Sequence, residues 1–232
     1  MIKREKHTIK KAKCFRSRFT LLELLMVCAV IMILATLLFP LLKTARERSK
    51  TITCASNLKQ LGITICFYAG DSNDFLPIAA HGGANYTTDG FDNKNWYANE
   101  LLMEYIGWHT GISFSRPLPY LQVRFCPADD NPWGDYSGYK TLSYAMNIYF
   151  VYGWWHKRTR LADFKTPSKT FSFCDASSFA VSVSSDGVGY QNLSYRHSCK
   201  MNCTYLDVHV GKISRNEPPS LISTDPFWGR YY

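Results

Sequence analysis

The run from Phe19 to Leu42, FTLLELLMVCAVIMILATLLFPLL, constrains this chain most: 20 of its 24 residues are apolar, and Glu23 is its one charge. As a helix rising about 1.5 Å per residue it would be about 36 Å long, enough to cross about 30 Å of lipid hydrocarbon. A secretory signal core is shorter, about 7–15 residues, and a small-x-small cleavage pattern normally follows it. None follows here. The flanks predict an orientation. Residues 1–18 hold Lys3, Arg4, Lys6, Lys10, Lys11, Lys13, Arg16 and Arg18 against Glu5, a net +7, whereas Lys43, Arg46, Glu47, Arg48 and Lys50 sum to +3. The more basic side stays in the cytoplasm, so residues 43–232 are expected across the membrane.

That charge distribution also removes a class of function. The whole chain carries +9, but only +2 lies on residues 19–232. The basicity is a terminal tail and not a face for phosphates, so a nucleic-acid partner is not expected. With 232 residues, 46% of them hydrophobic, the chain can bury a core and is not of disordered composition. Eight cysteines are too few for a disulfide-built miniprotein.

Beyond Pro40 the chain reads as helix to about Ala69. Cys54, Leu58, Leu61 and Ile65 form an apolar stripe on a polar segment, which predicts a face packed on a globular head. Gly70-Asp-Ser-Asn-Asp74, with Pro77 beyond, ends it. The expected organisation is a basic leader over 1–18, a transmembrane half-helix over 19–42, an amphipathic half over 43–70 and a globular α+β head over 71–232. Within the head a short helix is expected at 96–105, a strand at 120–126 and a β-prone aromatic run at 141–155. Half-buried strands are expected at 170–174 and 179–183, and a terminal hairpin at 203–213 turns near Asp207. Neither an internal repeat nor a second domain is visible.

Glu23 requires a partner or an exit. A carboxylate at bilayer depth costs about 2.5 kcal/mol or more. It either snorkels to the interface or pairs with a positive group inside an assembly. The basic leader, Phe19-Thr-Leu-Leu-Glu23-Leu-Leu and the unbroken apolar run together resemble the prepilin cleavage and methylation motif of type IV pilins and of the pseudopilins of type II secretion. The resemblance implies cleavage between Arg18 and Phe19 by prepilin peptidase and N-methylation of Phe19. It also implies that Glu23 pairs with the amine of a neighbouring subunit, and that Pro40 kinks the helix. The family usually has Gly where this chain has Arg18. Further elements resemble a group of prepilin-like proteins called the DUF1559 or H-X9-DG family. These are Cys54-Ala-Ser-Asn57-Leu-Lys-Gln60, Phe125-Cys-Pro-Ala-Asp129, Ser143-Tyr-Ala-Met-Asn147, Pro167-Ser168 and Phe173-Cys-Asp175. The signature itself reads Arg196-His197, nine residues, then Asp207-Val208-His209-Val210, with Val208 in place of Gly. The implied fold is pilin-like: a long N-terminal helix on an antiparallel sheet.

Several side chains are candidates for chemistry. His197, Asp207 and His209 are the family motif, and the structural expectation is that His197 hydrogen-bonds to Asp207 and pins the last hairpin. A metal or catalytic role is the alternative. His197, Cys199, Cys203 and His209 have the right donors for zinc but an unfamiliar spacing. Six cysteines beyond the membrane run, Cys54, Cys66, Cys126, Cys174, Cys199 and Cys203, allow 15 disulfide connectivities, with Cys199 or Cys203 the expected participants. Asp129, Asp130 and Asp135 offer oxygen ligands for a structural calcium, against a plain solvated loop. Trp96, Trp108, Trp133, Trp154 and Trp155 are a possible glycan platform, with core packing the simpler account.

No nucleophile and base assemble, and phosphate-loop, zinc-protease and esterase signatures are missing, so neither an enzyme nor a bound cofactor is expected. The expected function is a pilin-like or pseudopilin-like structural subunit. Its partners are prepilin peptidase, copies of itself or other pilin-like subunits, and the inner membrane, with the head on the periplasmic side and then in a filament or at the cell surface. The alternative is a membrane-anchored ectodomain that binds extracellular polysaccharide.

Overall fold

The computed structural model describes residues 20–79, 96, 102, 104–106, 123–134, 140–147, 159–178, 180–183 and 190–218. Arg18 and Phe19 lie outside them, as do Asp135 and the tail from 219. The chain divides into two compact units, Met1–Ala45 and Arg46–Tyr232.

Helix α1 runs Leu21–Asp71. Its start is built by four residues, Thr20-Leu-Leu-Glu23. The Thr20 carbonyl accepts the Leu24 N–H at 3.2 Å, which makes Thr20 the cap. Thr20 Oγ1 accepts the Glu23 N–H at 3.2 Å, and Glu23 Oε2 accepts the Thr20 N–H at 2.9 Å and its hydroxyl at 2.8 Å. This reciprocal capping box satisfies backbone donors that a helix start otherwise leaves open. In the first unit the apolar side chains from Leu21 to Leu42 are exposed on every side of the helix. This segment is long and apolar enough to cross a membrane. Pro40 sits inside the helix.

In the second unit, α1 turns amphipathic. Cys54, Asn57, Leu58, Leu61, Gly62, Thr64, Ile65, Tyr68 and Ala69 are buried, at the spacing of one helix face. The expected stripe of Cys54, Leu58, Leu61 and Ile65 is thus the packing face. The helix ends where Asn73 and Asp74 take φ of 52° and 68°, and Asp74 N–H bonds back to the Ala69 carbonyl at 2.8 Å. Asn and Asp tolerate this left-handed backbone better than other non-glycine residues. Tyr105 donates to Asp71 here, and this bond raises the Tyr105 phenol to about 12.

The head is a mixed sheet with a small β-ribbon. The ribbon pairs β1 (Trp133–Gly134) with β2 (Lys140–Leu142). The main sheet contains β3 (Tyr144–Asn147), β4 (Phe171–Asp175), β5 (Ala180–Val183), β6 (Tyr190–Gln191), β7 (Lys200–Tyr205) and β8 (Val210–Ser214), in the order β6-β5-β3-β4-β7-β8. Strands β3, β4, β7 and β8 are antiparallel throughout. The expected fully antiparallel sheet is corrected at one pair, because β5 lies parallel to β3. Strand β4 ends beside the start of β3, and the chain re-enters the sheet at Ala180 on the other side of β3. With so short a connection β5 must run opposite to β4, and hence along β3.

The two sheet faces have separate cores. Tyr144, Met146, Phe173 and Leu206 pack with the α1 stripe and with Trp96, Leu102 and Phe164. Trp96 meets Phe173 edge-on, with centroids 4.9 Å apart. Ala145, Phe171, Cys174, Val181, Met201 and Cys203 form the second core. Phe171 and Phe173 fall on opposite faces although two apart, because a bulge in the β4–β7 register lies between them. The expected strand over 120–126 is replaced at Val123–Arg124 by a 3-10 turn, with residues 120–122 outside the described set. Pro127 and the cysteine before it divert that segment to the helix.

Gly62 sets how closely α1 approaches the sheet. A Cβ there would lie 2.8 Å from Thr204 Oγ1 and 3.2 Å from its Cγ2. Thr204 is fully buried and its hydroxyl donates to the His209 carbonyl at 3.2 Å, so it cannot swing away freely. Gly62→Ala gains about 1 kcal/mol of helix propensity. The overlap outweighs it, and chemical denaturation is expected to show a net loss of about 1–3 kcal/mol. An unchanged or higher midpoint would contradict this close approach.

Candidate functional site

The most concentrated polar chemistry among the described residues lies where α1, the Phe125-Cys-Pro segment and the ends of β3, β4 and β7 meet. A disulfide joins Cys54 on α1 to Cys126, with Cα atoms 5.1 Å apart across 72 residues of sequence. By chain entropy, closing a loop that long stabilises the fold by about 4 kcal/mol. Beside it Asn57 Nδ2 donates to the Phe125 carbonyl at 2.9 Å, and the Tyr144 hydroxyl lies 3.3 Å from the same oxygen. Burial pushes the Tyr144 phenol well above its ordinary range, so it stays a hydrogen-bond donor.

His197 is buried against this disulfide. Its Nε2 lies 3.4 Å from Cys126 Sγ and 3.3 Å from Asp175 Oδ2, and its Nδ1 lies 3.2 Å from Thr51 Oγ1. Asp175 is fully buried at the end of β4, and its Oδ2 also accepts the Asn202 N–H at 2.7 Å. Thr51 is within 3.0 Å of the Glu47 carbonyl, one helical turn back. Its hydroxyl can therefore serve either tautomer of the ring. It donates to Nδ1 when Nε2–H faces Asp175, or it accepts Nδ1–H and donates to Glu47.

Arg196 clamps the crossover. Its Nη1 donates to the Ser143 carbonyl at 2.8 Å, its Nη2 to the Ala176 carbonyl at 2.6 Å and its Nε to Ser194 Oγ at 3.1 Å. The same Nη1 lies 3.0 Å from Asp129 Oδ2, with both side chains nearly buried. The guanidinium thus fixes the residues flanking the β4-to-β5 passage with a planar fork that no other side chain offers. Both motif residues enter β7 through a tight turn. His197 and Lys200 exchange backbone bonds at 3.0 and 3.1 Å, with Ser198 and Cys199 between them at φ of 53° and 60°.

This geometry corrects the expected partner of His197, which is Asp175 and not Asp207. Asp207 instead bonds His209, Oδ1 to Nδ1 at 2.5 Å, in the exposed β7–β8 turn. The His209 ring stacks on Tyr205 at 4.2 Å. The hairpin turn near Asp207 is present, and Val208 makes it with φ of 69°. Gly suits that backbone, whereas a β-branched residue is strained there.

The cysteines also sort differently from expectation. Cys199 is free and exposed, and Cys66 is free and half-buried. Cys174 and Cys203 face each other across β4 and β7 as buried free thiols. Burial, and then the neighbouring Cys174, push the Cys203 thiol well up, so it stays protonated and unreactive. The zinc set His197, Cys199, Cys203 and His209 is therefore not assembled. Among the described residues the metal-capable group is Cys54, Cys126 and His197. Asp129 turns to Arg196 while Asp130 is exposed. Trp96 is fully buried in the core, and Trp108, Trp154 and Trp155 lie outside the described residues.

Two features escaped the sequence reading. The capping box was legible as Thr-x-x-Glu at the start of an apolar run. Asp175 stood out only within the Phe173-Cys-Asp175 element, and its pairing with His197 had no local signal, because only strand pairing brings the two together. No family model, curated protein or solved structure matches the chain.

Two substitutions test this arrangement. Arg196→Lys keeps the charge but cannot reach all the acceptors at once, and is expected to cost about 2–3 kcal/mol in denaturant unfolding. A cost near zero would deny the clamp. Val208→Gly relieves the left-handed strain and is expected to raise stability by about 1 kcal/mol. A loss of stability would mean that Val208 contributes packing that outweighs its backbone.

Proposed function

We propose that this chain is a membrane-anchored, pilin-like or pseudopilin-like structural subunit, held and assembled through the first half of α1. The observation that carries the reading is an apolar helix, exposed on all sides, that begins at a Thr20–Glu23 capping box. Such a surface needs lipid or other helices around it. A pilin-type subunit uses both in turn: lipid before assembly, neighbouring helices after it. Processing between Arg18 and Phe19 by prepilin peptidase would leave the capping box intact, starting at the second residue of the mature chain. The basic leader favours a cytoplasmic N-terminus and a periplasmic head. The Cys54–Cys126 bridge suits an oxidising compartment.

Glu23 has a double role in this reading. Both of its capping bonds use Oε2. Its charge is then available to the amine of a neighbouring subunit, which offsets the cost of a carboxylate at membrane depth. Capping and pairing are separable by Glu23→Gln, which keeps a capping acceptor but loses the charge. That variant is expected to insert normally yet fail to assemble, read by membrane fractionation and by cross-linking into oligomers. Normal oligomers from it would remove the charge-pairing role. Intact mass and N-terminal sequencing of the chain from its native membrane should give an N-methylated Phe19. A chain that still carries Arg18 would overturn processing and leave a signal-anchored head.

A further inference from the structure

We propose that the Cys54–Cys126 pair has a second state: when reduced, it forms with His197 and Asp175 a tetrahedral zinc site in place of the disulfide. Cys54, Cys126 and His197 bring one donor atom each to within 4.8 Å of one another, and all three are buried; Asp175 lies outside that group, reaches it on the His197 side, and must shift towards the sulfurs to become the fourth ligand. Around zinc, with bonds of about 2.0–2.3 Å to nitrogen, oxygen and sulfur, tetrahedral ligand atoms sit about 3.3–3.8 Å apart, the two sulfurs furthest. His197 Nε2 already stands 3.4 Å from Cys126 Sγ and 3.3 Å from Asp175 Oδ2. Asp175 is fully buried, and its other oxygen, Oδ1, has no hydrogen-bond partner among the described residues. That is an independent mark of a site built for more than its present bonds.

The surroundings also present the correct ring nitrogen. Metal-bound histidines usually donate their other N–H to a fixed acceptor. Here Nδ1–H can donate to Thr51 Oγ1, whose own proton goes to the Glu47 carbonyl at 3.0 Å, leaving the Nε2 lone pair facing the sulfur. In the oxidised state the ring adopts the other tautomer, with Nε2–H towards Asp175. The chemistry balances. A dithiol reductant passes two electrons and two protons to the S–S bond, which breaks into two thiols as the reductant closes its own disulfide. Zinc then displaces both protons and binds two thiolates, the imidazole and the carboxylate. Either state ties α1 to the Phe125-Cys-Pro segment, so the link survives a change of redox environment.

The test uses the full chain in detergent with cobalt(II) as the zinc surrogate. After reduction by a phosphine and anaerobic desalting, one equivalent of cobalt is expected to bind, with thiolate charge-transfer absorption and the intense visible bands of a tetrahedral site. The disulfide form is expected to bind none. Mild reoxidation should release the metal as the disulfide returns. His197→Gln, checked for native circular dichroism in its disulfide form, is expected to weaken binding by more than the roughly 10–100-fold that loss of an outer-shell partner costs. Asp175→Asn should keep the charge-transfer band and shift the visible ones. Failure of the reduced wild type to bind cobalt would overturn the proposal. So would binding that is indifferent to His197→Gln. An unshifted spectrum in Asp175→Asn would remove Asp175 from the ligand set.

Discussion

The head depends on the second half of α1 lying close over one face of its sheet. Strands β3 and β4 are buried along their whole length, so both of their faces need cover. On the α1 side that cover is centred on one helix face, with Leu58, Leu61 and Ile65, and is extended by Trp96, Leu102 and Phe164. Contact is close only because Gly62 meets Thr204 without a side chain of its own. The disulfide then pins the helix one turn before Leu58. These features are coupled: a helix held further out would separate Cys54 from Cys126 and take Thr51 away from His197. A stripe of ordinary amphipathic spacing therefore decides whether the buried polar cluster exists.

That cluster shows how the fold manages charge out of water. A buried ion without partners is costly, and one partner seldom suffices. Arg196 has two carbonyls, a hydroxyl and a carboxylate around it. Burial lowers the pKa of Arg124 to about 10, which leaves it charged at neutral pH. Its carbonyl meanwhile takes the Ser143 N–H at 3.0 Å and so joins the segment before Cys126 to the start of β3. The residues around 124–129, 143, 175 and 196–197 thus form one joint and not several independent motifs.

What could be read from the sequence follows from range. The α1 stripe, its end at the Asp-Ser-Asn-Asp stretch, the β4 and β5 strands and the final hairpin all rest on periodicity or turn chemistry within a dozen residues, and each is present. The parallel placement of β5, the bulge between Phe171 and Phe173 and the partner of His197 depend on which strands pair. His197 and Asp207 are ten residues apart and looked like natural partners, yet Asp207 is held in its own turn by His209. Asp175 reaches His197 because β4 and β7 are neighbours. The choice of Cys54 and Cys126 from 15 pairings has the same origin. At Val208 the turn forms without the glycine and accepts the strain.

The first half of α1 poses a different physical problem, and its solution narrows what the chain can be. A helix that lies in a membrane interface keeps a polar face. From Leu24 to Val27 four successive residues are exposed and apolar, and at about 100° per residue they already point around the whole helix. Ile31 to Leu34 repeat the pattern one level further along. No orientation of such a segment leaves a polar side for water, so it must be surrounded completely. Lipid around a single span does that, and so does a bundle of like helices. The two differ little in polarity, which is why a chain can move from one to the other without a large hydrophobic penalty. Glu23 is the exception to this equivalence. In lipid it has only its own cap, whereas among other helices it can meet a cation, so under the proposed function that difference would favour the assembled state.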